Sequence, residues 1–219
     1  KNTVVYAHWT YVPEEPVDTP IVITSRPGSA DQKPGVTFAD VRKSDWFYED
    51  VCYVYESGLM NGVGSNRFAP QAVMTRGMIV AMLYRMESEP AVTGRAPFAD
   101  VKAGSYCEKA VIWAAENGIV NGVSAERFAP DAGITREQLA AILYRYATYR
   151  KMPIPAHRNA LDGFADQGSV SAYAVKAMQW AVGEGFMNGS SGRLAPGSEA
   201  TRAQVAAILH RFCEQIAKQ

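Results

Sequence analysis

The chain has 219 residues, 47% of them hydrophobic, which is enough to bury a core as one or two domains. Its 22 basic residues balance its 22 acidic ones, so no overall field attracts nucleic acid or an acidic membrane surface. No apolar run is long enough to span a bilayer, and we expect no membrane insertion. The sequence opens at Lys1 without a signal peptide, so we expect an excised piece of a longer protein.

The first 36 residues differ in composition from the rest. Residues 3–12 alternate as a β-strand does, with Val4, Tyr6 and His8 on one side. Five prolines then punctuate residues 13–36, which predicts a semi-extended linker. Residues 4–10 resemble the last strand of the small β-repeats found in series on bacterial surface proteins. We therefore expect residues 1–12 to end a preceding β-type repeat and residues 13–36 to form a Pro-rich linker.

From Phe38 onwards the chain contains one unit three times. Its landmarks are Phe-Ala-Asp, an aromatic residue, an Asn-Gly pair after a glycine, Phe-Ala-Pro or Leu-Ala-Pro, and Thr-Arg. The Phe-Ala-Asp motifs start at Phe38, Phe98 and Phe164, at intervals of 60 and 66 residues. A unit of this size has too little core to stand alone, so we expect the three to pack together.

Two helices are predicted in each unit, joined by a glycine-containing loop. The first begins at the aromatic residue (Trp46, Tyr106 or Tyr173) and ends at Gly58, Gly118 or Gly185. The Asn-Gly pairs that follow can supply positive φ in a turn. The second helix begins after a threonine N-cap, Thr75, Thr135 or Thr201, and carries an apolar stripe: Ile79, Met82, Leu83, Met86; Leu139, Ile142, Leu143, Tyr146; Val205, Ile208, Leu209, Phe212.

The three capping threonines are not equally supported. Gln138 and Gln204 lie three residues after their threonines and complete a capping box in the second and third copies. Met78 occupies this position in the first copy, so we expect half of that box to be lost.

The arginine directly after each threonine has the wrong charge for the positive end of a helix. Three copies of this placement, Arg76, Arg136 and Arg202, indicate that an anion is expected nearby. One interpretation is a carboxylate ligand that the guanidinium shares with unpaired backbone N–H groups at the helix start. The other is an ion pair with a carboxylate of a neighbouring unit, for instance Asp40, Asp100 or Asp166.

The order of these landmarks closely resembles the S-layer homology (SLH) module, for which three tandem copies are the usual set. The resemblance covers nearly all of residues 37–216, with repeats at about 37–90, 97–150 and 163–216 in a domain of residues 37–219. It implies a mainly α, pseudo-threefold domain in which grooves between adjacent repeats bind secondary cell-wall polysaccharide. Such modules anchor secreted proteins to Gram-positive-type cell walls, so we expect an extracellular location at the cell wall or S-layer. The family ligand often carries a pyruvate ketal, a sugar acetal with a free carboxylate.

The resemblance also assigns candidate carbohydrate-binding residues. The family's Thr-Arg arginine lies in these grooves, and the matching positions are Arg76, Arg136 and Arg202. The loop glycines either let a sugar approach the backbone closely or serve only as turn formers; they are Gly62, Gly122 and Gly189. Trp113 and Trp180 share one helical position with Tyr53, and they either stack on a sugar face or belong to the core.

The repeats also depart from the family pattern in places. The third unit has Gln167 where the others have valine, and Leu194 in place of phenylalanine. The first unit has Gly77 and Met78 after its arginine. If one groove has lost its ability to bind, we expect it to be a groove that contains one of these departures.

Catalysis finds little support in the sequence. The three histidines fall in no metal-ligand spacing. A pair of carboxylates could in principle cleave a glycosidic bond, but we interpret the acidic residues as solvated surface charge. We expect no cofactor and no metal site, and we expect Cys52, Cys107 and Cys213 to be small buried thiols. The favoured function is a non-catalytic anchor for a carboxylate-bearing polysaccharide. The alternative is a structural S-layer module that self-assembles through protein–protein contacts, and hydrolysis of the wall polymer comes third.

Overall fold

The computed structural model describes residues 37–217. The predictions for residues 1–12 and 13–36 therefore lie outside the described residues. Within residues 37–217 the secondary structure is helical and includes no strand, so the prediction of a mainly α fold is confirmed. The helices are α1 (Tyr48–Glu56), α2 (Arg76–Met86), α3 (Glu108–Glu116), α4 (Arg136–Tyr149), α5 (Val175–Gly183) and α6 (Arg202–Ile216), with one turn of 3-10 helix at Gln167–Ser169.

The second helix of each repeat starts as its sequence predicts. The side chains of Thr75, Thr135 and Thr201 each accept a hydrogen bond from the backbone N–H three residues on. The capping boxes of Gln138 and Gln204 are complete, because each glutamine side chain also accepts the N–H of its own threonine. The apolar stripes of α2, α4 and α6 are buried, except that Met86 is partly buried.

The first helices, α1, α3 and α5, begin two residues later than predicted. The chain before them is wound into i→i+3 turns, such as Tyr48 N–H to Asp45 O at 3.0 Å, and these hold the aromatic residues outside the helix. Each helix ends two residues before its predicted glycine. Gly58, Gly118 and Gly185 have φ of 71°, 67° and 76°, so these glycines reverse the chain just beyond the helix, where a side chain would be strained.

The two helices of one repeat do not form a self-contained hairpin. Instead α2 packs on α3, α4 packs on α5, and α6 packs on α1. Each first helix thus lies against the second helix of the preceding repeat, and α1 closes the ring on α6. The expected packing of three repeats into one pseudo-threefold assembly follows from this exchange of partners.

The ring has a backbone-bonded centre. The segments that precede α2, α4 and α6 meet there, and each donates one N–H to the next: Met74 to Ala200 O (3.0 Å), Ala200 to Ile134 O (2.8 Å), and Ile134 to Met74 O (2.8 Å). Because all three segments must be present to complete this cycle, the starts of the three second helices are positioned jointly. These helix starts carry the predicted arginines.

Candidate functional site

Each of the three arginines reaches across to the following repeat, the first repeat following the third. The Nε atoms of Arg76, Arg136 and Arg202 donate to the backbone carbonyls of Phe128 (2.8 Å), Leu194 (2.7 Å) and Phe68 (2.7 Å). Their Nη2 atoms donate to the carbonyls of Asn121 (3.2 Å), Asn188 (2.8 Å) and Asn61 (2.6 Å). The guanidinium therefore clamps both ends of the loop that starts with the Asn-Gly pair.

The backbone N–H groups at these helix starts are already occupied. The N–H of Arg76 donates to Ala132 O at 3.0 Å and that of Gly77 to Pro130 O at 2.8 Å. The same two bonds recur at the starts of α4 and α6. The expectation that a ligand carboxylate shares these N–H groups is therefore wrong, because the following repeat has filled them.

The predicted ion pairs do not form as direct contacts, although Asp100, Asp166 and Asp40 act electrostatically on Arg76, Arg136 and Arg202. Asp100 accepts the backbone N–H groups of Phe128 and Ala129, both at 2.8 Å, and so holds Ala129 at a φ of 57°. Asp40 and Asp166 make the same bonds in their own repeats. The aspartates therefore fix the Phe-Ala-Pro or Leu-Ala-Pro turn instead of pairing with Arg76, Arg136 or Arg202.

The three guanidinium groups lack a direct counter-ion. No carboxylate of residues 37–217 lies within 4.0 Å of them. Desolvation by burial lowers the pKa of Arg76, Arg136 and Arg202, although each remains a cation. Phe128 and Phe68 offer ring faces 4.7 Å from Arg76 and 4.5 Å from Arg202. Leu194 takes the ring's place beside Arg136, so that guanidinium lacks this contact.

Part of each guanidinium still faces solvent. Arg76 and Arg136 are 5% and 8% exposed, and their Nη1 atoms make no hydrogen bond within the described part of the chain. No buried side-chain nitrogen or oxygen there lacks a partner, so these Nη1 atoms must reach the surface. Nη1 of Arg202 lies 3.7 Å from the Met74 sulfur. Each arginine thus keeps N–H donors beyond those that bind the neighbouring loop.

Arg202 lies in a groove of about 600 Å³ that all three repeats build. Residues 59–63, the exposed face of α2 and the start of α3 line it, and Arg85, Tyr106 and Lys109 supply polar groups. We call it the Arg202 groove. The equivalent groove between α4 and α5 is the Arg76 groove, where Tyr173 and Arg145 act electrostatically on Arg76. By the same equivalence of the repeats, we call the space between α6 and α1 the Arg136 groove.

An exposed aromatic residue lies two residues before the first helix of each repeat, and Tyr106 lines the Arg202 groove. Trp46, Tyr106 and Tyr173 are 64%, 57% and 54% exposed, although burial of such large side chains is the usual outcome. The hydroxyl groups of Tyr106 and Tyr173 contact Thr75 (3.3 Å) and Glu137 (3.0 Å) on the preceding repeat. Sequence reasoning missed these three residues as site candidates. The available signal was an aromatic residue that recurs eight or nine positions after the phenylalanine of each Phe-Ala-Asp motif.

The two tryptophans predicted to stack on sugar belong to the core. Trp113 and Trp180 are 3% and 2% exposed, so their ring faces are not available to a ligand. Trp113 packs against Tyr84 with ring centroids 5.6 Å apart, and Trp180 packs edge-on against Phe186 at 5.0 Å. Tyr53, at the equivalent position, stacks on His210 at 4.0 Å.

The three loop glycines are required for close packing. A Cβ atom at Gly62, Gly122 or Gly189 would collide with the ring of Phe38, Phe98 or Phe164, and with the carbonyl of Arg67, Arg127 or Arg193. None of the three has positive φ, so they do not supply the positive φ that the sequence suggested for these Asn-Gly pairs. These glycines let the Phe-Ala-Asp ring press against the loop that the arginine clamps. The glycines thus affect the groove indirectly, by positioning the loop that forms part of its wall.

Two further expectations concern metals and disulfides. Among residues 37–217, no group of three or more His, Cys, Asp or Glu residues is placed to hold a metal ion. No disulfide joins the cysteines: Cys107 and Cys213 are buried, and Cys52 is partly buried. Burial raises the pKa of Cys213 to about 12, which makes it a poor thiolate.

The family model described as S-layer homology domain matches residues 37–77, 97–140 and 163–206, more than half of the chain. This chain belongs to the S-layer homology domain family. The three matches coincide with the three repeats predicted from the sequence. The finer repeat boundaries, at about 90, 150 and 216, stay a prediction.

Three relatives extend the comparison. An endoglucanase of a Bacillus species is 31% identical over 183 residues, 82% of this chain and 19% of the relative. The surface-layer 125 kDa protein of Lysinibacillus sphaericus is 29% identical over 79% of this chain and 14% of its own length. The cellulosome-anchoring protein of Acetivibrio thermocellus is 25% identical over 53% of this chain and 27% of its own length. The chain therefore spans less than a third of each relative.

Family membership and these relatives make the SLH chain a cell-surface module, as predicted. The endoglucanase matches over the SLH region alone, so its likeness transfers no glucanase activity. None of the helices between residues 37 and 217 combines the length and the apolar composition that crossing a membrane requires.

Proposed function

We propose that this chain is a non-catalytic module that holds a larger protein on the cell wall by binding carboxylate-bearing polysaccharide in its grooves. One observation carries the proposal: the arginine at each groove has N–H donors to spare and no carboxylate within 4.0 Å. A partly buried cation without a counter-ion in direct contact is costly, and an anionic ligand would relieve that cost.

The exposed aromatic residues provide the second half of the proposed site. Sugar rings present apolar C–H faces, and an aromatic ring can cover such a face while hydroxyl groups stay in water. Tyr106 lines the Arg202 groove, and Trp46 and Tyr173 occupy the equivalent positions in their repeats; each of the three has more than half of its surface exposed. We infer that the arginine binds the carboxylate and the aromatic residue stacks on the sugar that carries it. This assignment replaces Trp113 and Trp180 and keeps Arg76, Arg136 and Arg202.

Titration calorimetry tests the proposal with purified wall polysaccharide and with the same polymer after its ketal carboxylates are removed. The intact polymer should bind and the stripped polymer should bind more weakly. Binding should also weaken as salt rises, since the contact is electrostatic and open to solvent. Equal affinity for both polymers would overturn the carboxylate assignment.

Aromatic variants test the stacking half of the proposal. Trp46→Ala and Tyr106→Ala should each weaken binding, because stacking contributes roughly 0.5–1.5 kcal/mol beyond burial, at most about tenfold in affinity per groove. Tyr55→Ala is the matched control: Tyr55 is 44% exposed but packs edge-on against Phe38 and does not line the Arg202 groove. Loss of binding in the control alone would contradict the proposal.

The alternative function, self-assembly in a surface lattice, predicts a different pattern. The chain would associate in a concentration-dependent way in sedimentation experiments and would ignore both polysaccharides. That outcome would replace glycan binding as the proposed function.

A further inference from the structure

The start of α2 contains a backbone donor that is satisfied at the starts of α4 and α6. In α4 the side chain of Gln138 accepts the N–H of Thr135 at 3.2 Å, and α6 repeats this bond. The first repeat has Met78 at the glutamine position, and the N–H of Thr75 donates to no acceptor within residues 37–217. The other half of the box is present, because the Thr75 hydroxyl accepts the N–H of Met78 at 3.3 Å. What the first repeat lacks is an acceptor at the end of the Met78 side chain.

Met78 is also the most exposed methionine of this chain. Its side chain lines the Arg202 groove beside Tyr106, and 41% of the residue is exposed to solvent. A small oxidant that arrives from solvent should therefore reach the Met78 sulfur first. The other methionines are buried or partly buried: Met60, Met74, Met82, Met178 and Met187 are at most 3% exposed, and Met86 and Met152 are partly buried.

Oxidation would give the Met78 side chain the acceptor that Gln138 has. A hydroperoxide transfers one oxygen atom to the thioether sulfur, so that an S–O bond forms and the O–O bond breaks. The sulfur is oxidised by two electrons to the sulfoxide, and hydrogen peroxide is reduced to water. The sulfoxide oxygen is separated from Cα by the same number of bonds as Oε1 of a glutamine. It can therefore approach the Thr75 N–H as the Gln138 oxygen approaches the N–H of Thr135.

We propose that Met78 is a modification site at which a hydroperoxide oxidises the sulfur, and that the sulfoxide completes the capping box of α2 by accepting the N–H of Thr75. Oxidation of a buried methionine disrupts packing, because it places a polar group in a core. Met78 lies at the surface beside an unbonded donor, so its oxidation stabilises the helix start instead. The same reaction makes the wall of the Arg202 groove more polar at this point.

Limited oxidation of the intact chain with hydrogen peroxide tests which methionine reacts first. Peptide mass spectrometry of samples taken over time measures the oxidised fraction of each methionine. Met78 should be oxidised ahead of the other seven. If Met86 or Met152, the partly buried methionines, is oxidised before Met78, the modification site is not Met78.

The protein oxidised at Met78 alone tests the cap. Hydrogen exchange of the Thr75 amide, followed by NMR, should slow by about two- to tenfold, as expected for one added hydrogen bond. The melting temperature should rise by about 1–4 °C. Methionine sulfoxide reductases for both sulfoxide epimers should reverse the two changes. Unchanged exchange at Thr75, or a melting temperature that falls on oxidation, would overturn the proposal.

Two variants at the same position provide matched controls. Met78→Leu has no sulfur, so peroxide should change neither its Thr75 exchange nor its melting temperature. Met78→Gln carries the acceptor from the start and should show slow Thr75 exchange before any treatment, with no further gain from peroxide. A gain in peroxide-treated Met78→Leu would assign the effect to another residue. Fast Thr75 exchange in Met78→Gln would show that a side chain at this position does not reach the donor.

Discussion

At the scale of single residues, the arginine after each N-cap serves the fold and keeps N–H donors that the neighbouring loop does not use. Its Nε and Nη2 atoms bind the loop of the following repeat, which makes the charge structurally useful despite its unfavourable position at a helix start. Substitution of Arg136 should therefore affect folding as well as binding. The same side chain should report on both stability and binding.

Arg136→Ala should lower the free energy of unfolding by about 3 kcal/mol, because two hydrogen bonds from a charged group are lost. Arg136→Lys should fall between wild type and alanine, since one ammonium cannot span the carbonyls of Leu194 and Asn188. Urea denaturation followed by circular dichroism measures both. Arg95→Ala, at an exposed arginine between repeats, should leave stability unchanged. A wild-type denaturation curve for Arg136→Ala would contradict the clamp.

The turn aspartates should make the fold sensitive to acid. Burial opposes ionisation of Asp100, but hydrogen bonds from Phe128 and Ala129 outweigh it and lower the pKa of this carboxyl below 3.8. The pKa values of Asp40 and Asp166 are lowered in the same way. A lowered folded-state pKa contributes stability that is present above the unfolded-state value and is lost as the pH falls through the folded-state value. Stability should therefore drop as the pH falls below about 4.

Asp100→Asn isolates this effect. The amide cannot accept both turn N–H groups as a carboxylate does, so the variant should be less stable at neutral pH. One titrating carboxyl is also gone, so its stability should fall less steeply in acid. Denaturation series at several pH values test both expectations. A variant that loses stability in acid as steeply as the wild type would place the acid sensitivity elsewhere.

At the scale of helices, α2 lacks the glutamine that completes the capping box in α4 and α6. Met78 stands in its place and is 41% exposed. Met78→Gln should therefore stabilise the protein, by about 0.5–1 kcal/mol, and Gln138→Met should destabilise it by a similar amount. Thermal unfolding of the two variants measures the pair. If both substitutions move the melting temperature in the same direction, capping does not explain the difference between the repeats.

At the scale of the whole molecule, the helices depend on partners from other repeats. Removing residues 150–219 takes α5 from α4 and α6 from α1, and also breaks the cycle of backbone bonds at the ring centre. The shortened chain should lose cooperative unfolding and bind a dye specific for exposed apolar surface. Calorimetry and dye fluorescence test this. A sharp transition in residues 1–149 would show that two repeats suffice.

The sequence alone was a good guide wherever residues a few positions apart decide the outcome. Thr135 and Gln138 form a capping box locally, and the apolar stripe behind them follows helical spacing. The partners of the arginines could not be predicted in this way, since Arg202 bonds Asn61 across 141 positions of sequence. Burial of Trp113 likewise depends on Tyr84, which belongs to another repeat. The exposure of Trp46, Tyr106 and Tyr173 follows from helix starts that lie two residues later than the sequence predicts.

The packing of α1 on α6 has a consequence for how the chain is threaded. Packing does not distinguish a first repeat from a last one, because α6 packs on α1 just as α2 packs on α3 and α4 packs on α5. The position at which the polypeptide is opened is thus set by covalent connectivity and not by packing. A circular permutant that joins the end of α6 to the approach to α1 and opens the chain between α2 and α3 would retain all three helix pairs. The natural order of the repeats is therefore one of three chain orders that would build the same closed ring of helix pairs.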